Sequence, residues 1–175
     1  MTERKTKKTE SSTKKTKIVE TKEKTTKLAP NVKSTGKLLA VIRIAGEVKL
    51  NPDVRITLDR LRLRRKYACI LMDSSNPSLT GMLKRVKFSV AYGEINKDTL
   101  AKLLKARGKP LVSQDFNPEK MSEEIFNGKN LEEIGFKPFF RLHPPRGGIK
   151  SKLQYPKGVL SDNKENINKL LIRML

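Results

Sequence analysis

Cations are the side chains of this chain whose type and spacing could do chemistry. Arg60, Arg62, Arg64, Arg65 and Lys66 put five basic groups into seven residues. Lys84, Arg85 and Lys87 form a second cluster, and Arg141, His143, Arg146, Lys150 and Lys152 surround Gly147-Gly148 in a third. Arginine holds a phosphate through two parallel N–H bonds, and a Gly-Gly step lets a backbone come close with its N–H groups exposed. A run of charge is usually only a solvated face, and cations at a helix end also suit the helix dipole. Five in seven exceed what a dipole asks for, and three such runs on one chain point to a polyanion.

The totals agree. Lys+Arg 39 against Asp+Glu 18 leaves +21 on 175 residues. Like charges repel in a compact state, so this excess makes sense when a partner neutralises it, and nucleic acid is the densest candidate. The charge is spread: residues 1–37, 38–91 and 92–175 carry +8, +7 and +6. The folded part is therefore itself a candidate binding surface. Trp is absent and aromatics are 5%, which favours phosphate and shape reading over a binder built on many stacking platforms.

Other chemistry is thinly supplied. His143 is the only histidine, which excludes a His-based metal site and a two-His acid–base pair. It reads equally well as a phosphate or base contact and as a plain surface residue. Cys69 lies in an apolar run and reads as an inert core thiol; alone, it forms no intrachain disulfide, which fits a reducing compartment. Neither a dinucleotide-binding nor a P-loop glycine pattern is present. Glu123-Glu124 and Glu132-Glu133 are paired carboxylates on polar faces, where a surface role is the default. No apolar stretch approaches the length of a membrane span and no secretory leader is visible, so neither a membrane, a cofactor nor a small-molecule substrate is expected.

The elements that must position these cations follow from pattern. Residues 1–36 are built mainly of Lys, Thr, Glu and Ser. They read as a basic arm, disordered in isolation, that orders on an anionic surface or merely solubilises; the charge of the rest favours the first. The apolar run at 38–44 predicts a buried strand. Asn51-Pro52-Asp53 opens a helix by N-cap and N1 proline, with Val54, Leu58 and Leu61 on one face and the Arg cluster at its end. Residues 67–72 predict a second strand. Asn76-Pro77 opens a second helix, with Leu79, Met82, Leu83, Val86 and Val90 as its stripe. Gly81 within it suggests that a strand or an RNA phosphate comes close. Residues 91–95 predict a third strand. The result is a compact α+β unit, strand-helix-strand-helix-strand, with two helices on one face of a small sheet.

Beyond it, 98–107 reads as a helix stopped by Gly108, Asn117-Pro118 as the start of a helix to about 126, and 136–142 as a strand. The acidic stretch with Glu119, Glu123, Glu124, Glu132 and Glu133 is expected to face solvent or a protein. Asp162-Asn163-Lys164-Glu165 has capping-box spacing ahead of an amphipathic helix bearing Ile167, Leu170, Leu171 and Met174.

Together the ordered motifs carry a resemblance. Val41-Ile42-Arg43-Ile44 with Gly46, Pro52, Thr57-Leu58, Leu61-Arg62-Leu63, Pro77-Ser78, Gly81-Met82-Leu83, Val86-Lys87 and Tyr92-Gly93-Glu94-Ile95 resemble the large-subunit ribosomal protein family numbered thirty, numbered seven in eukaryotes. Pro145-Arg146-Gly147-Gly148 and the closing Asn166-Ile167-Asn168-Lys169-Leu170-Leu171-Ile172-Arg173 resemble its longer archaeal and eukaryotic form, and His143-Pro144 favours the archaeal one. The likeness spans 38–175 and leaves the first 36 residues outside it.

The resemblance implies an antiparallel three-stranded sheet in a ferredoxin-like β-α-β-α-β core, with a helical C-terminal extension. It implies ribosomal RNA and neighbouring ribosomal proteins as partners and a structural role in the cytoplasmic large subunit. It implies RNA contacts by Gly46, Lys49, Asn51 and Arg55 in the first strand–helix loop, where Glu47 also stands, and by the basic helix end; Arg43 joins the candidates. The expected organisation is an arm at 1–36, an RNA-binding core at 37–96 and an extension at 97–175. The rivals are an assembly factor of the same fold, separated by association with precursors in place of finished subunits, and an RNA-processing enzyme, which needs a convergent acid–base pair.

Overall fold

The apolar run at 38–44 becomes the centre of a sheet because both its faces are covered. The computed structural model describes residues 36–111 and 117–175, so the expected basic arm lies, but for Gly36, outside the described residues. Strand β1 (Leu38–Arg43) pairs antiparallel with β2 (Ala68–Asp73) on one side and β3 (Val90–Glu94) on the other, with Val41 opposite both Ile70 and Tyr92. Side chains alternate across a strand. Val41 accordingly joins one apolar cluster, with Leu58, Leu63, Leu83 and Val86. Ala40 and Ile42 join another, with Leu100, Leu103, Leu104, Ile167 and Leu171.

Helices α1 (Pro52–Arg60) and α2 (Pro77–Val86) cover the first face, as expected. The second face is covered by α3 (Lys97–Arg107), α4 (Pro118–Phe126) and α5 (Ile167–Met174), all from the extension. The extension also adds edge strands β4 (Phe140–Arg141) and β5 (Ser161–Asp162), giving the sheet order β4-β2-β1-β3-β5 with β5 parallel to β3. Thus the three-stranded sheet of the core is the middle of a five-stranded one.

Local chemistry sets the helix starts. The Asn51, Asn76 and Asn117 side chains accept from the N–H groups of Asp53, Ser78 and Glu119 at 3.0, 3.2 and 3.1 Å, each ahead of a proline that has no N–H and so needs no acceptor. In α5, Ile167, Leu170, Leu171 and Met174 are buried, and each such side chain stabilises by roughly 1.5–3 kcal/mol. Asn168 locks this helix to the sheet. Its Oδ1 accepts from Asn96 N–H at 3.0 Å, and its Nδ2 donates to the Glu94 and Glu165 carbonyls at 3.0 and 2.9 Å.

Four expectations about boundaries are corrected. Helix α1 ends at Arg60, and Arg62, at φ 59°, turns the chain away, so Arg62, Arg64, Arg65 and Lys66 follow the helix and do not belong to its last turn. Val90 is in β3, because Ser89 N–H bonds Val86 O at 2.8 Å in a turn that closes α2 early. The strand expected at 136–142 is only two residues long; Phe136 instead bridges to Pro110. No capping box forms: Asp162 Oδ1 accepts from Lys164 N–H at 2.9 Å, making a side-chain turn that leads into a short 3-10 segment (Lys164–Asn166). Helix α3 does stop at Gly108, as expected, with φ −57°, and a side chain there would clash with the Leu104 carbonyl.

Candidate nucleic-acid interface

Arg43 ends β1 and is buried, with 2% of its surface exposed. Its Nε donates to Ala45 O at 3.1 Å and its Nη2 to Gly46 O at 3.2 Å, both in the β1–α1 loop. Its Nη1 donates to Leu63 O at 2.8 Å and Arg64 O at 2.6 Å, in the α1–β2 connection. Burial pushes the guanidinium pKa down, but an arginine stays charged. The expectation that Arg43 contacts RNA is corrected here. Its side chain faces inward and ties two loops to one rigid cation.

The tied connection then displays its cations by alternation. Leu61 and Leu63 are buried, while Arg62, Arg64, Arg65 and Lys66 are exposed. Buried leucines anchor the segment and the arginines between and after them face solvent. Pairing of β2 with β4 sets Arg141 opposite Ala68, three residues past Arg65. Two clusters far apart in sequence thereby meet. Arg62, Arg64, Arg65 and Arg141 line a concavity of about 400 Å³ together with Ala68 and Phe139. The Arg141 guanidinium carbon lies 5.8 Å from the Phe139 ring centre, and Lys66 Nζ lies 4.7 Å from that of Tyr67. Arg62 is ion-paired with Glu132, so part of its charge is already answered. The acidic segment expected to face solvent or a protein thus also trims the basic cluster.

The remaining candidates are dispersed. Arg55 pairs with Glu47 at 2.7 Å, and Lys49, at φ 60°, is exposed beside Val48 at the loop tip. Lys84 and Arg85 are exposed on α2, and Lys87 Nζ sits 5.0 Å from the ring of the exposed Phe88. A side chain at Gly81 would meet nothing within 4 Å, so no strand approaches it. His143 is exposed; its backbone N–H bonds Met174 O at 3.0 Å. Lys150 and Lys152 are exposed.

The Arg146-Gly147-Gly148 loop is built as a clamped turn. Gly147 and Gly148 have φ 77° and 69°, where residues with a side chain are strained. Arg173 of α5 donates to Arg146 O at 3.0 and 2.6 Å and to Gly148 O at 2.9 Å. Gly148 N–H is used on Pro145 O. The glycines therefore serve the turn itself, and Arg146 is exposed on it.

Two functional features escaped the sequence reading. Phe139 forms the apolar wall of the concavity; the signal was its place two residues before Arg141, aromatic and basic types interleaved. Arg173 holds the glycine loop, and nothing local announces that. Cys69 is fully buried, and burial pushes its thiol up to about 12, as an inert core residue requires. Among the described residues no group of His, Cys, Asp and Glu is placed to hold a metal ion, and no helix is long and apolar enough to cross a membrane.

Comparison with known proteins places the chain in a family. The profile of the family "Ribosomal protein L30p/L7e" matches residues 39–90, the stretch from β1 to the start of β3. The chain is 41% identical over 152 residues to the large ribosomal subunit protein uL30 of Ignicoccus hospitalis, covering 77% of this chain and 96% of that one. It is 42% identical over 158 residues to the protein of that name from Desulfurococcus amylolyticus, covering 78% and 97%. For Archaeoglobus fulgidus the identity is 41% over 150 residues, covering 77% and 98%. These alignments cover far more of the chain than the profile match does. The chain belongs to the ribosomal protein L30p/L7e family.

Proposed function

We propose that this protein is a structural constituent of the large ribosomal subunit and holds ribosomal RNA through the face bearing Arg64, Arg65 and Arg141. The observation that carries this is the convergence of two sequence-distant arginine groups on one concavity, in a chain whose relatives are named large-subunit proteins. The role is structural, not catalytic, and belongs to translation. Lys and Arg displace counterions from the RNA backbone and fix its helices in place, reading shape more than sequence. Lys84, Arg85, Lys87, Arg146, Lys150 and Lys152 extend the contact, and Lys49 adds to it more than the Glu47-paired Arg55. The exposed carboxylates of α4 face solvent or a neighbouring ribosomal protein. The Lys-rich residues 1–36 add positive charge to this binding. The site of action is the large subunit in the cytoplasm.

The test is the salt dependence of binding to a large-subunit RNA fragment. Each neutralised phosphate contributes a slope of about −0.9 to log K against log salt on duplex DNA and a similar amount here. Three or more contacts should give a slope of about −3 or steeper between about 50 and about 200 mM salt. A flat dependence would overturn phosphate neutralisation as the mechanism.

A further inference from the structure

We propose that the concavity between the α1–β2 connection and β4 seats a single unstacked nucleotide of the RNA, its base against Phe139 and its phosphate among Arg64, Arg65 and Arg141. This rests on the RNA-binding reading above and gives that face a defined ligand chemistry.

The first argument is the wall. Phosphate recognition needs only cations and N–H groups, and the negative face of an aromatic ring repels an anion. Yet Phe139 lines the concavity, half-buried and packed against the apolar cluster of the first sheet face. A nucleobase is the part of RNA that gains from such a wall, because bases stack on aromatic rings and on guanidinium planes. Arg141 supplies the guanidinium, 5.8 Å from the ring centre.

The second argument is shape and rigidity. About 400 Å³ falls within the roughly 300–1,000 Å³ of small-ligand sites, which suits one nucleotide and not a duplex surface. The backbone of the walls is held in place. Arg43 pins the carbonyls of Leu63 and Arg64 at 2.8 and 2.6 Å, and β2–β4 pairing fixes the Arg141 backbone. Backbone already in place adds no ordering cost on binding. The lining holds no acid or amide to read cytosine or adenine, so stacking on Phe139 sets the affinity and the arginines favour guanine only where its edge reaches them.

The experiment compares two RNA hairpins, one fully paired and one carrying a single bulged 5-iodouridine. The full-length protein should bind the bulged hairpin about tenfold tighter, within the range expected for one base stacked on an aromatic ring. Ultraviolet irradiation should join the iodouridine to the peptide containing Phe139. Phe139→Tyr should keep the preference for the bulged hairpin and Phe139→Leu should lose it. Equal affinity for the two hairpins, or an adduct on another peptide, would overturn the pocket while leaving phosphate binding intact. Failure to bind either hairpin would overturn the underlying RNA-binding reading as well. The wild-type adduct decides the matter even if Phe139→Leu does not fold.

Discussion

Replacing Arg64, Arg65 and Arg141 together by Gln should weaken binding to a large-subunit RNA fragment by about a thousandfold. Each charge-assisted contact contributes roughly 1.5 kcal/mol, and three lost contacts compound to about that factor. The log–log salt slope should become shallower by about 3, one step of about 0.9 per lost phosphate. The fold should survive, because all three side chains are exposed and Arg64 is held through its carbonyl, not its guanidinium. Arg62→Gln alone should do much less, since Glu132 already answers its charge. Binding and thermal melting of the same variants separate the readings. Unchanged affinity with a lowered melting temperature would make the cluster structural.

Arg43→Met should act the other way round, mainly on stability. The substitution keeps an apolar side chain of similar reach but strips the cation from the carbonyls of Ala45, Gly46, Leu63 and Arg64. Buried acceptors left without a donor cost roughly 1–3 kcal/mol each, less where water can enter, so a loss of about 4 kcal/mol is expected. For a domain of this size that lowers the melting temperature by about 10 °C or more. Arg43→Lys should rescue little, because one ammonium cannot reach four carbonyls in the planar fork that a guanidinium offers. RNA affinity should fall modestly as the α1–β2 connection loosens, with the salt slope kept because the exposed cations remain. A normal melting curve for Arg43→Met would show that the two loops do not depend on this residue.

Features written in local chemistry were legible. The three Asn-Pro pairs start helices because side-chain capping and a missing N–H act within one turn. Ile167, Leu170, Leu171 and Met174 announced a docking helix because helical spacing alone puts them on one face. The strands at the sheet centre showed because burial on both faces demands an unbroken apolar run.

What was not legible depends on partners distant in the chain. Arg43 reads as one more cation among many until two loops are seen to close over it. Val90 continues the stripe of α2 by spacing, yet pairs with Arg43 in the sheet, so tertiary pairing overrides the period. The Arg62–Glu132 pair joins the core to the extension, and the Arg173 clamp joins the last helix to a loop some 25 residues earlier. The sequence marks which side chains could hold phosphate. Only the fold says that Arg64, Arg65 and Arg141 share a site and that Arg55 faces Glu47.

The orientation of this protein on RNA can be measured directly. A tethered iron chelate that generates hydroxyl radicals would be attached at Lys66→Cys in one preparation and at Glu123→Cys in another. Each variant is then assembled into large subunits. The native Cys69 does not compete for the label, being fully buried with its thiol pushed up to about 12. Lys66 lies beside the arginine concavity, and Glu123 lies exposed on α4, a helix whose Glu119, Glu123 and Glu124 would repel phosphate. Strong cleavage of large-subunit RNA from position 66 and little from position 123 is the predicted result. Equal cleavage from both, or stronger cleavage from position 123, would contradict it.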